Sequence, residues 1–107
     1  MSNNIVFPVN AALLEAAVLS ISSCKDIYGY ETIKIMGDVT ELSESTLYPV
    51  LRRLQKSGCL NSYQQEYQGR NRRYYQITKK GQAQLILYIK EWEIYKNTID
   101  NIFNEVF

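Results

Sequence analysis

Ser43-Glu44-Ser45-Thr46-Leu47-Tyr48-Pro49-Val50-Leu51-Arg52-Arg53-Leu54 is the stretch on which the fold turns. Leu47, Val50, Leu51 and Leu54 fall at i, i+3, i+4 and i+7, the spacing of one apolar helix stripe, with Ser43 or Ser45 available as the N-cap and Gly58 as the terminator. At 100° per residue the opposite face carries Ser45, Pro49, Arg52 and Lys56, flanked by Tyr48 and Arg53. A helix of this kind has one side for a core and another, small-polar and cationic, for an anionic partner. Pro49 conflicts with a regular helix, because it lacks the N–H that would bond the Ser45 carbonyl. Either the helix starts later than Ser43 or it bends there.

Upstream, Met1 to Pro8 reads as an extended arm, and Asn10 as the cap of a first helix from Ala11 to about Ser22. The apolar residues of that helix run most of the way round it, so it is expected to touch both its own core and something else. Asp26 is placed to cap a short second helix from about Ile27 to Met36, with Ile27, Tyr30 and Ile33 or Lys34 on one side and Gly37 at its end. Val39 to Leu42 alternates as a very short strand would. Downstream, Cys59–Tyr67 and Arg72–Thr78 are rich in β-favouring residues, and Gln68-Gly69-Arg70-Asn71 between them reads as the turn of a hairpin.

Thr78 caps a final helix towards the C-terminus. Leu85, Tyr88, Trp92, Tyr95, Ile99, Ile102 and Val106 occupy successive a and d positions of a heptad, widened by Ile89 and Phe103. At 1.5 Å per residue this helix is roughly 40 Å long, more than so small a domain can cover. Its seam therefore calls for a helix from a second copy of the chain. The expected architecture is α+β and mainly α: residues 1–78 form a winged helix-turn-helix with its N-terminal helix, and residues 79–107 a dimerisation helix, in one compact unit.

With 107 residues, 46% hydrophobic and 21% charged, the chain has the composition of a single globular domain. No stretch is long and apolar enough to span a membrane and no secretion signal is visible, so the cytoplasm is the expected location. The net charge is only +1, but it is unevenly placed. Eight of the basic residues, Arg52, Arg53, Lys56, Arg70, Arg72, Arg73, Lys79 and Lys80, lie between residues 52 and 80, with Glu66 as the one acid there. A segment so charged suits a polyanion, and the phosphate backbone of duplex DNA is the usual one. The absence of histidine removes the commonest general base, and with Cys24 and Cys59 far apart there is no metal-ligating set. No enzyme, metal or cofactor is expected. The two cysteines read as reduced thiols, with a redox pair as the other reading.

Several segments together resemble one family. Tyr28-Gly29-Tyr30-Glu31, the Ser43–Leu54 stretch, Lys56-Ser57-Gly58 and Gly69-Arg70-Asn71-Arg72-Arg73-Tyr74-Tyr75-Gln76-Ile77-Thr78 are similar, in order, to the signature of PadR-family regulators. The resemblance implies a repressor that binds palindromic operators as a two-fold dimer. Carried over by position, it implies DNA contacts from Ser45, Thr46, Tyr48, Pro49 and Arg52 on the reading helix and from Arg70, Arg72 and Arg73 on the wing. By the same resemblance Tyr28 and Lys34 would reach the backbone; Arg53 and Lys56, by their place beside Arg52, suit phosphate contact, the other reading being that they only solubilise the helix. Tyr48 has a second reading, a ring folded along the core edge, and one of Tyr74 and Tyr75 belongs to the core. Relatives with a short final helix stack flat aromatic molecules on an interfacial tryptophan. By that resemblance Trp92, Tyr88, Tyr95, Leu13 and Val18 would wall a site for a small aromatic effector, and Leu13 and Val18 would join the dimer interface. The alternative is a winged-helix dimer that binds mainly proteins or small molecules, without specific DNA recognition.

Overall fold

The computed structural model describes residues 7, 9–37 and 42–105. The expected arm apart from Phe7, most of the short strand at 39–42, and Val106 lie outside them. The elements follow the order α1 (Ala11–Cys24), β1 (Ile27–Tyr28), α2 (Gly29–Met36), α3 (Glu44–Lys56), β2 (Leu60–Tyr67), β3 (Arg70–Ile77) and α4 (Lys79–Asn104). This is a winged helix-turn-helix, mainly helical, with a long C-terminal helix.

Two of the helices, α1 and α4, begin on a side-chain cap. The Asn10 side chain accepts from the Leu13 N–H, and the Thr78 hydroxyl accepts from the Gly81 N–H, satisfying donors that a helix start leaves open. Ser43 is the N-cap of α3, but its hydroxyl bonds those of Ser45 and Thr46 at 3.0 and 3.1 Å instead of the backbone. The α3 helix runs through Pro49 without a late start. Leu47, Val50, Leu51 and Leu54 are buried, so the apolar stripe faces the core as its spacing requires. Gly58, with φ +85°, ends the turn in the left-handed region that glycine adopts without strain.

Two boundaries differ from the sequence reading. Ile27 and Tyr28 form a two-residue strand, with Ile27 opposite Tyr75 and Tyr28 opposite Tyr74, so α2 starts later, at Gly29. Asp26 does not cap that helix, because its carboxylate accepts from the Tyr63 hydroxyl on β2. The hairpin turn is also tighter than expected. Gln68 and Gly69 have φ of +52° and +79°, a two-residue turn whose twist matches the strands it joins. Arg70 and Asn71 consequently belong to β3, paired with Tyr67 and Glu66.

The sheet order is β1-β3-β2, all antiparallel. Leu60, Tyr75 and Cys59 close the core from the sheet side, against Leu14, Val18 and Leu19 of α1 and the stripe of α3. The start of α4 seals it: Leu85 is buried and Tyr88 packs at the edge. From there α4 leaves the protomer with its apolar residues bare. Trp92, Tyr95, Ile102 and Phe103 are 43, 62, 54 and 71% exposed. Among the described residues no helix is long and apolar enough to cross a membrane.

Candidate nucleic-acid interface

The outward face of α3 is built as its spacing implied. Ser45, Thr46, Arg52 and Lys56 are exposed and Pro49 is half-buried. Arg70 stands exposed at the start of β3, beside the hairpin turn. Among the described residues neither Arg52, Lys56 nor Arg70 has an ion-pair partner. Three unneutralised cations on adjoining elements make a surface that phosphates can occupy. Between the wing, the start of α2 and α3 lies a cleft of about 670 Å³, lined by Tyr28, Gly29, Tyr48, Arg70, Arg72 and Tyr75 among others. Lys34 is exposed on α2, its ammonium 5.9 Å from the centre of the Tyr30 ring.

Four of the expected DNA contacts have other primary partners. Arg53 turns away from the outward face: its Nε donates to Glu15 of α1 at 3.1 Å. That carboxylate also accepts from the Tyr88 hydroxyl of α4 at 2.9 Å, so Glu15 ties three helices together. Burial first, and this hydrogen bond second, raise the Tyr88 pKa. Tyr48 takes the second of its two readings. Its ring packs against the core edge, and its hydroxyl lies so near Gly29 that a Cβ there would come within 2.6 Å of it. Gly29 is the residue that lets α2 and α3 approach. Arg73 donates to the Ser62 hydroxyl at 3.1 Å, which Gln55 of α3 also reaches. Arg72 is sandwiched, its guanidinium carbon 4.0 Å from the ring centres of both Tyr28 and Tyr67.

Of the tyrosine pair, Tyr75 is the core residue, and burial raises its pKa. Tyr74 stacks on Tyr63, with ring centres 5.6 Å apart, and meets Tyr28 edge-on. The partner-facing set also needs correction. Val18 is fully buried within its own chain and Leu85 nearly so, so both serve the protomer core. Leu13, Ile89, Trp92, Tyr95 and Ile102 remain exposed and Ile99 half-buried.

Glu15, Gly29, Tyr63 and Tyr67 are the positions that sequence reasoning did not single out. A signal existed for the two tyrosines: in a hairpin they share a face with Arg72 and Tyr74 by strand parity. None existed for Glu15, whose partners lie far away in sequence.

Residues 18–86 match the model of the transcriptional regulator PadR-like family. The chain belongs to that family. Its fold superposes on a Streptococcus mutans protein of known crystal structure with a TM-score of 0.87, at 44% identity over 92% of this chain and 93% of that one. A PadR-like transcriptional regulator from Bacillus cereus gives a TM-score of 0.78 at 33% identity, covering 88% of this chain and 94% of that one. An uncharacterised Lysinibacillus sphaericus protein is 36% identical over 92 residues, 81% of this chain and 84% of its own length. The PadR-like assignment makes this chain a transcriptional regulator with a DNA-binding winged helix. The PadR-like segment takes in α2, α3, the wing and the first turns of α4, where the unpaired cations and the cleft lie.

Proposed function

We propose that the protein is a sequence-specific transcriptional repressor, which binds a palindromic operator as a homodimer joined through α4. The observation that carries this reading is the pairing of two surfaces in one chain. One is the outward face of α3 beside Arg70, cationic and free of ion-pair partners among the described residues. The other is the bare apolar seam of α4. A two-fold axis through the seam would present two reading helices to one face of a duplex, and the operator would carry the same symmetry.

In this reading Ser45, Thr46 and Pro49 approach base edges and Arg52 reads a base, while Lys56, Arg70 and Lys34 hold phosphates. Arg73, already oriented by Ser62, lies beside α3 and extends the cationic border. Trp92, tilted against Tyr95 with ring centres 6.0 Å apart, offers a flat aromatic surface at the seam. A small aromatic effector stacking there would release the operator by changing how the two protomers meet.

Equilibrium binding to an operator duplex at several salt concentrations tests the assignment. Arg52→Ala is expected to cost about 1–3 kcal/mol on the cognate sequence and to flatten discrimination between sequences. Arg70→Ala is expected to weaken all duplexes alike and to reduce the salt slope by about one per protomer. If both variants bind as the parent does, this surface is not the DNA-binding face.

A further inference from the structure

The distal half of the wing lacks the support that its base has. β1 covers the outer edge of β3 only at Tyr74 and Tyr75, so Arg70–Arg73 pair on one side alone, with Gln64–Tyr67. The face continuing from the core there carries Gln64, Glu66, Asn71 and Arg73, and none of these buries apolar surface. A two-stranded ribbon of this kind is marginal in water by itself.

The opposite face supplies what is missing. Tyr63, Tyr67, Arg72 and Tyr74 share it by strand parity and register, and Tyr28 of β1 joins them. From the body outward, the Asp26 carboxylate accepts from the Tyr63 hydroxyl, Tyr63 stacks on Tyr74, and Tyr74 meets Tyr28 edge-on. Arg72 then lies between Tyr28, which belongs to the body, and Tyr67, the last residue before the turn, at 4.0 Å from each ring centre. The run of contacts passes without a gap from the helix-turn-helix to the wing tip. The neighbouring Tyr74 hydroxyl heads the influences that raise the Arg72 pKa, so its charge is kept.

We propose that Arg72 is a positioning residue: clasped by Tyr28 and Tyr67, it fixes the wing tip, and Arg70 with it, at a set distance from the reading helix. Its planar guanidinium is what the site uses, because its central carbon stands 4.0 Å from two ring centres at once. A lysine would keep the charge and lose the double stack. The functional consequence rests on the DNA-binding reading given above, whereas the clasp itself does not.

The test compares Arg72→Lys, Arg72→Gln, Tyr67→Leu and Tyr67→Phe in the full chain, with two readouts. Without DNA, backbone amide relaxation and hydrogen exchange at Gly69 and Arg70 should report a more mobile tip in the first three variants and parental behaviour in Tyr67→Phe, which keeps the ring. With an operator duplex, the same three should bind about five- to tenfold more weakly, and Tyr67→Phe within about twofold. A parental tip and near-parental affinity in Arg72→Lys would overturn the proposal and leave Arg72 as a simple charge. Tyr67→Leu, altered only at an exposed tip, covers the case in which an Arg72 variant misfolds. If no variant or parent binds duplex DNA, the functional reading fails, and tip mobility still decides whether the clasp exists.

Discussion

Gly81 sits where α4 leaves the sheet, and replacing it with alanine is a severe test of that junction. A Cβ built there would run into the Cys59 carbonyl oxygen and stand 2.8 Å from Ile77 Cγ1. Ordinary contact between such atoms needs about 3.5 Å, so α4 would have to move by about 1 Å. The same carbonyl accepts from the Thr78 N–H at 3.1 Å, and the Thr78 hydroxyl donates to the Gly58 carbonyl, so the movement disturbs the bonds that start the helix. Crowding of this kind costs about 1–3 kcal/mol and a weakened hydrogen bond about 1 kcal/mol. Alanine's better helix propensity returns up to about 1 kcal/mol. The expected net loss is about 2 kcal/mol, or a fall in Tm of about 10 °C for a chain of this size. Urea and thermal unfolding at equal protein concentration would measure it, since association adds to apparent stability. Gln82→Ala, exposed on the same turn, should stay within about 0.5 kcal/mol. A Gly81→Ala variant as stable as the Gln82→Ala control would refute the packing argument.

Trp92→Ala should weaken self-association: burying its exposed part is worth about 2 kcal/mol per protomer, or roughly a hundred- to thousandfold for a symmetric pair, and sedimentation would show it. An unchanged dissociation constant would place the seam elsewhere. Arg53→Ala should leave duplex affinity within about twofold and the salt slope intact, because the guanidinium is engaged with Glu15; a slope reduced by about one per protomer would return Arg53 to the phosphates. Burial raises the Tyr75 and Tyr88 pKa values, and the Asp26 hydrogen bond raises that of Tyr63. The fold favours the protonated phenols, so their contribution is complete up to the ordinary tyrosine value near pH 10 and is lost as pH climbs through the raised values. Denaturant midpoints followed with tyrosinate absorbance should show stability falling only above that point. Ionisation of all nine tyrosines on one ordinary curve would contradict this.

The parts of the fold that were legible in the sequence are those set by periodicity and punctuation. The α3 stripe, the Asn10 and Thr78 caps, the glycine after α3 and the length of α4 all follow from spacing and local chemistry, and the cationic face follows from the same wheel as the core face. Elements decided by tertiary partners were not legible. Ile27 and Tyr28 carry too little pattern to announce a strand, and only β3 makes them one. Asp26 looks like a helix cap until Tyr63 arrives from another element. Arg53 lies beside Arg52 in sequence, yet a step of 100° carries it to the α1 side, where Glu15 waits. Val18 matched an interface position by resemblance, whereas its burial belongs to its own protomer. The wing arginines illustrate the same limit: composition counts three cations, and structure separates one with no ion-pair partner among the described residues, one hydrogen-bonded beside α3, and one held between rings.

Selection of bound duplexes from a random-sequence pool by the purified protein addresses the central claim most directly. Enrichment of two inverted half-sites, with centres about one helical turn, some 10 base pairs, apart or a multiple of that, is the predicted result. A pool that stays random after repeated rounds in dilute buffer, or that yields only a single unsymmetric site, would contradict it.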